Sequence, residues 1–246
     1  MNRNVYFEEI AFPFALCLFT FAFPRMPSST VENYLKQIYL EQQPLAGSDL
    51  VPMGRLATAM AVTPGTATTM IKALAEANLV TYEPRTGVRL TKAGEQLALH
   101  VLRRHRLVEL FLVKVLGLDW SEVHDEAEHL EHAVSDKVLE RIDAYLGHPS
   151  VDPHGDPIPT SKGKVTPQKL QSLAECDLNQ PLRIARIADQ EPAFLQFLHR
   201  SGLIPGVALT IQSRDPHADS VLLKLANKSP LSLGTAAAAK ILVEPA

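Results

Sequence analysis

Imidazole and carboxylate side chains recur through one stretch of this chain at the spacings that bring side chains together on a helix. Five of its nine histidines fall between residues 100 and 132. Among them stand His105 and Glu109, then His124, Glu128, Glu131 and His132. Residues four apart on a helix lie one above the other, so the first pair makes a two-toothed clip and the other four line a stripe of a second helix. Two such helices packed face to face would enclose a divalent cation with nitrogen and oxygen donors and no thiolate. That donor set suits Mn²⁺, Fe²⁺ or Zn²⁺ better than copper(I) or an iron–sulfur cluster, with Co²⁺ and Cd²⁺ possible in vitro.

Charge points the same way. Residues 93–150 carry six Lys and Arg against eleven Asp and Glu, although the whole chain is only −3. An oxygen-rich cation site has this sign, as does a solvated acidic helix face. No nucleophile accompanies the cluster and no His-Glu-x-x-His helix is present, so catalytic residues: none are expected. Three protein ligands plus water would still serve a metal-dependent hydrolase, which stays an alternative beside a metal-buffering or scaffold protein. Cys17 and Cys176 belong to no paired motif, which points to a cytoplasmic chain without a disulfide framework.

The elements that must position this cluster can be read outward from it. A chain of 246 residues, 46% hydrophobic, can bury more than one core, and two or three small domains are expected. Residues 10–23 form an apolar run with an internal Pro13, too short for a confident membrane span. Met26 opens a more ordinary sequence, and residues 1–25 are expected to be an upstream start-site artefact, so residues 1–28 are set apart and no membrane partner is assigned.

From Ser29, the spacing of Val31, Tyr34, Leu35, Ile38 and Tyr39 predicts a helix that Pro44 and Gly47 close. A short helix over Met53 to Met60 and another from Pro64 to about Ala77, capped by Thr63, form a helix-turn-helix. The early residues of the latter, Gly65, Thr66, Thr68, Thr69 and Lys72, are small or polar, as a helix approaching base edges in the major groove requires. Two β-type runs around Pro84-Arg85-Thr86-Gly87 predict a hairpin wing, with Arg85 and Arg89 beside phosphates. Thr63, at the start of the recognition helix, joins this DNA-facing set.

A long helix follows Thr91 and ends near Gly117; two more are expected over Ser121 to Val134 and Ser135 to Leu146. Here the run RRHRLVELFL, then VHDEAEHLEHAVSDKVLERI and the proline-rich DPHGDPIPT, resembles the diphtheria-toxin-repressor and manganese-transport-repressor family of metal-dependent transcriptional regulators, from about Thr30 to Pro159. The resemblance implies one site at His105, Glu109 and His124, and a second, regulatory site at Glu128, Glu131 and His132. Glu128 stands where the iron-responsive branch has a cysteine, which hardens that site toward Mn²⁺. It also implies a ligand from the first helix; that position is Asn33, a weak amide donor, with Lys36 where the manganese branch has a further glutamate. Glu32 is expected to point away from Asn33 by about 100°.

Residues 149–176 are proline-rich and predict an irregular linker. Beyond it, LRIARI, VALTIQSR, SVLLKLAN and KILVEP predict strands of a small barrel, with a helical turn AFLQFLHRSG between the first two. This tail resembles the SH3-like, ferrous-transport-accessory type of domain, which implies Asp189 or Glu191 as further ligands. The expected architecture is mainly α with a small β domain: a winged helix-turn-helix over 29–92, a helical metal-binding and dimerisation domain over 93–148, the linker, and an SH3-like domain over 177–246. The expected function is a homodimeric, Mn²⁺- or Fe²⁺-activated repressor. Its partner would be double-stranded DNA, an operator with an inverted repeat.

Overall fold

The computed structural model describes residues 28–43, 50–226 and 229–246. The expectations for residues 1–25 and for Pro44 and Gly47 as helix terminators lie outside them. The first helix, α1 (Ser29–Gln42), starts where the Ser28 hydroxyl accepts from the Val31 amide. It buries Tyr34, Leu35 and Ile38 on its apolar face, and Glu32 and Lys36 on a second one. Helices α2 (Met53–Ala59) and α3 (Pro64–Glu76) follow, with Ala61 in the left-handed region between them and Thr63 capping α3 through Thr66. Strands β1 (Val80–Glu83) and β2 (Gly87–Leu90) pair antiparallel as the wing. Val51 adds a bridge to Val88, and a Cβ on Gly87 would sit 2.4 Å from the Val51 carbonyl oxygen, so only glycine lets the two backbones meet. One core of Leu35, Ile38, Leu56, Ile71, Leu74, Val80 and Val88 holds these elements together.

Helix α4 (Lys92–Lys114), capped by Thr91, packs against α1 and continues beyond it. Helix α5 (Val123–Glu131) lies on it through Val108, Leu112, Val123 and Ala127. Helix α6 (Asp136–Tyr145), capped by Ser135, packs through Leu139 onto Leu107 and Leu110. Only Leu139 of α6 is buried, and Val115, Leu116, Leu130, Val138 and Tyr145 stay exposed. No helix among the described residues is long and apolar enough to cross a membrane.

The segment expected to be an irregular linker is built into the structure for most of its length. Asp152 Oδ1 accepts from the amides of His154 and Asp156, folding residues 151–157 into a turn closed by the Val151–Pro157 bridge. Arg106 and Arg103 donate to the carbonyls of Pro157 and Pro159, and Ile158 enters the α4–α6 core. Short prolines with satisfied carbonyls make a packed strap here, because arginines from α4 supply the donors that proline lacks. Strand β3 (Gln171–Ser172) already belongs to the tail sheet.

That sheet has the order β3-β8-β4-β5-β6-β7, all antiparallel, from β4 (Leu182–Ile187), β5 (Ala208–Asp215), β6 (Ser220–Leu225), β7 (Leu231–Gly234) and β8 (Ile241–Pro245). The four expected runs became β4, β5, β6 and β8; the shorter β3 and β7 gave too little alternation to be read. Helix α7 (Pro192–Ser201) buries Leu195 and Leu198 in its core, and a short α8 (Thr235–Ala239) precedes β8. Trp120, from the loop between α4 and α5, is buried in the same core.

The turn at Gly155 joins the two halves: its φ is +89°, and a Cβ there would lie 1.9 Å from the Ala185 carbonyl oxygen on β4. Gly155→Ala should therefore lower the stability of the metal-free chain by roughly 2–4 kcal/mol, measured by urea denaturation. Gly54→Ala, with open space around it, is the control and should be neutral or slightly stabilising.

Candidate metal centre and nucleic-acid interface

Glu109 sits on the covered face of the C-terminal half of α4 and is 1% exposed. His105, one turn earlier, places Nε2 at 3.0 Å from Glu109 Oε1, and His124 from α5 brings Nδ1 to 3.3 Å from the same oxygen. The two rings meet edge to face, their centroids 4.9 Å apart. From the strap, His154 is completely buried with Nδ1 at 4.0 Å from Glu109 Oε2. Its Nε2 lies 2.8 Å from the Trp120 carbonyl oxygen. A carbonyl only accepts, so Nε2 carries a proton, and in the neutral ring Nδ1 keeps its lone pair. Nδ1 has no hydrogen-bond partner, and neither does Asp152 Oδ2 close by.

Two acceptors facing each other in a dry interior are costly unless a cation lies between them. The orphaned His154 nitrogen is therefore an observation that fits a metal ion. Two donor groups meet here, His105 with Glu109 and His124, and Glu109 with Asp152 and His154, the candidate ligand atoms of each lying within 4.8 Å of one another. Imidazoles with carboxylates match Mn²⁺, Fe²⁺ or Zn²⁺. Asp152 and His154 belong to the proline-rich block DPHGDPIPT. Their Asp-x-His spacing carried the signal, but nothing in the sequence says that the strap folds back on α4.

A second group of acids lies one helical turn away, and its geometry differs from expectation. Glu128 and Glu131 do approach His105, whose Nδ1 is 2.6 Å from Glu131 Oε2. Between the two carboxylates, however, lies the Lys36 ammonium, 2.5 Å from Glu128 Oε1 and 2.8 Å from Glu131 Oε1. His132 closes α5 and turns Nδ1 onto Glu32 Oε2 at 2.5 Å, keeping only a 3.4 Å approach to Glu131. Glu128, Glu131 and His132 thus do not converge on a common cation position. Glu32, set in a different direction on α1 from Asn33, points into the molecule and also lies 3.5 Å from Arg104. Glu32 and Lys36 are four apart and share one stripe, and it is this stripe that α1 turns toward α5. Asn33 Oδ1 is buried without a hydrogen-bond partner. Asp189 pairs with Lys240, and Glu191 caps α7 by accepting from Ala193 and Phe194, so neither is drawn into the cluster.

Charge in this centre is held by protons and ammonium groups. Burial opposes protonation of His105, but the Glu109 charge and hydrogen bonds to Glu109 and Glu131 outweigh it and raise its pKa to about 9. The imidazolium so formed donates from both nitrogens. Burial likewise opposes ionisation of Glu109, yet the neighbouring imidazoles hold its carboxyl well below the usual range. Asp152 is pushed up by burial and by the charges of Asp156 and Glu109.

At the other end of the molecule, Thr63, Gly65, Thr66, Thr69 and Lys72 lie on the exposed face of α3 and Thr68 at its edge. Thr68 and Thr69 return their hydroxyl protons to Pro64 and Gly65 carbonyls, leaving oxygen lone pairs and methyl groups outward. Arg85 and Arg89 are exposed on the wing, Arg85 at the hairpin tip with a positive φ.

Comparison with known proteins follows the same division. Residues 26–88 match the iron dependent repressor N-terminal DNA binding domain, 91–160 the iron dependent repressor metal binding and dimerisation domain, and 171–245 the FeoA domain. An uncharacterised HTH-type transcriptional regulator of Methanocaldococcus jannaschii is 36% identical over 123 residues, 48% of this chain and 94% of that protein. The iron-dependent repressor IdeR of Mycobacterium leprae is 28% identical over 198 residues, 75% of this chain and 84% of that one. A solved manganese-dependent transcriptional repressor in complex with manganese superposes with a TM-score of 0.78 at 39% identity, covering 88% of this chain and all of that one. The chain belongs to the iron-dependent repressor family of metal-dependent transcriptional regulators. Within it, the chain combines a winged helix-turn-helix, a helical metal-binding and dimerisation domain, and a C-terminal FeoA domain of SH3-like type.

The His105 imidazolium sets a pH dependence. Its folded pKa of about 9 lies above the unfolded value of 6.5, so its contribution is complete below pH 6.5 and is lost as pH climbs toward 9. In chelator, stability should fall by on the order of 2–3 kcal/mol across that window. His105→Gln should start lower and lose little over the same range in parallel urea titrations.

Proposed function

We propose that this chain is a cytoplasmic, homodimeric repressor whose grip on DNA is switched by Mn²⁺ or Fe²⁺ at the His105–Glu109–His124 centre. His154 would join from the strap and Asp152 beside it. The observation that carries the reading is the unpartnered His154 Nδ1 facing buried Glu109, 4.0 Å away, beside two more imidazoles. When bound, the ion supplies two positive charges that offset the carboxylates and hold these donors together. The donors themselves come from α4, α5 and the strap, so their convergence fixes α5 and the tail against α4. Helix α4 packs on α1 of the DNA-binding domain, and the angle at which α3 is presented follows from that rigid seat. The ion acts only by differential affinity for the seated and unseated arrangements.

The exposed Leu130, Val138 and Tyr145 give the helical domain an apolar face for a second subunit. A two-fold pairing would set two α3 helices on successive major grooves, which calls for an inverted repeat in the operator. Thr63, Gly65, Thr66, Thr68, Thr69 and Lys72 would meet that groove, with Arg85 and Arg89 on the flanking phosphates. No turnover is assigned to the centre. A hydrolase would cleave a generic substrate, and a metal buffer would take up Mn²⁺ without any response on DNA.

The deciding experiment is an electrophoretic shift on DNA from upstream of the chain's own gene, with Mn²⁺, with Fe²⁺ and with chelator. A shift that needs metal and disappears in Glu109→Gln with His124→Ala supports the reading; a shift indifferent to metal overturns it. On the same DNA, Thr69→Ala should narrow the difference between operator and random sequence by about 1–3 kcal/mol. Arg85→Ala should weaken both alike and reduce the salt slope by about one.

A further inference from the structure

The acids of α5 face a cation that the chain itself supplies. Lys36 reaches from α1 with its side chain only 7% exposed and places Nζ between Glu128 Oε1 and Glu131 Oε1, at 2.5 and 2.8 Å. The remaining Glu131 oxygen accepts from His105 Nδ1 at 2.6 Å. Arg104 donates to the Glu131 carbonyl oxygen and lies 3.5 Å from Glu32 Oε2, which also meets His132 Nδ1. Every carboxylate of this group therefore already has a covalently attached positive or N–H partner. That contrasts with the neighbouring centre, where His154 Nδ1 has no hydrogen-bond partner and Asp152 Oδ2 has only the Arg106 guanidinium at 3.6 Å. A divalent ion held by both Glu128 and Glu131 would have to displace the ammonium from between them or lie against it, like charge upon like charge in a buried place. An ammonium nitrogen has no lone pair to offer such an ion.

We propose that Lys36 is the built-in occupant of this second acidic group: its ammonium neutralises Glu128 and Glu131, excludes a divalent ion from them, and limits each subunit to one ion. The proposal rests on the reading of the His105–Glu109–His124 centre given above, and sets its stoichiometry. It also makes the tie between α1 and α5 independent of metal.

The test is metal content. The full chain, stripped with chelator and dialysed against excess Mn²⁺, is assayed for manganese per subunit by plasma mass spectrometry, alongside Lys36→Glu and Lys36→Gln. One ion per wild-type subunit, rising to two in Lys36→Glu, is the expected result. Lys36→Gln guards against a Lys36→Glu variant that fails to fold. It should have a lower thermal midpoint than wild type in chelator and gain more from added Mn²⁺, because its two carboxylates are left unpaired. Two ions in the wild type, or no added ion in either variant, would overturn the proposal. No ion in the wild type but one in Lys36→Glu would leave the role of Lys36 standing and sink the His105–Glu109–His124 centre instead.

Discussion

A carboxylate at 1% exposure near the C-terminal end of a long helix is the constraint around which this molecule is arranged. Removing such a charge from water costs several kcal/mol, and single polar neighbours do not repay it. Glu109 is accordingly met by His105 on its own helix and by His124 on α5, while His154 on the strap comes to 4.0 Å without a hydrogen bond. Answering this one carboxylate requires α4 and α5 to be in place together, and the strap sets a third donor beside it. In the metal-free chain much of the compensation falls to the proton shared out by His105. That proton is a weak substitute for a divalent ion, since it leaves His154 Nδ1 unanswered.

The same arrangement explains how one end of the chain can influence the other. Helix α4 is common to both domains, its first half packed on α1 and its second half carrying the histidine–glutamate clip. Helix α1 in turn sends Glu32 and Lys36 into the acidic face of α5. Buried ion pairs of this sort add little net stability against apolar packing, but breaking one partner is expensive, so they fix a particular docking of helices. The winged domain is thus seated by charge on one side of α1 and by Leu35 and Ile38 on the other.

Much of this was legible from residue order alone. Thr63 caps its helix as expected, and Ser28, Thr91 and Ser135 do the same for theirs, because a short hydroxyl side chain can satisfy an amide that the helix leaves open. The His105–Glu109 and His124–Glu128 spacings follow from helical geometry and survive in the structure. What periodicity cannot give is which face of one helix meets another. The parts played by Glu32 and Lys36 depend on how α1 crosses α5, which their positions in the chain do not reveal. Asp152 and His154 were hidden for a different reason. A proline-rich segment has no period, and only the arginines of α4 that bind its carbonyls reveal it as packed.

Trp120 gives the C-terminal domain a share in the chemistry of a centre to which that domain sends no identified ligand. Its indole is buried in the tail core and stacks on His154 at 5.5 Å, while its backbone carbonyl fixes which nitrogen of that ring is protonated. Gly155, next along, rests on β4. The tail domain therefore acts as a clamp on one imidazole, holding Trp120 where it sets both the tautomer and the pitch of that ring. Loosening that grip anywhere in the tail core would detune the centre without touching a single donor atom.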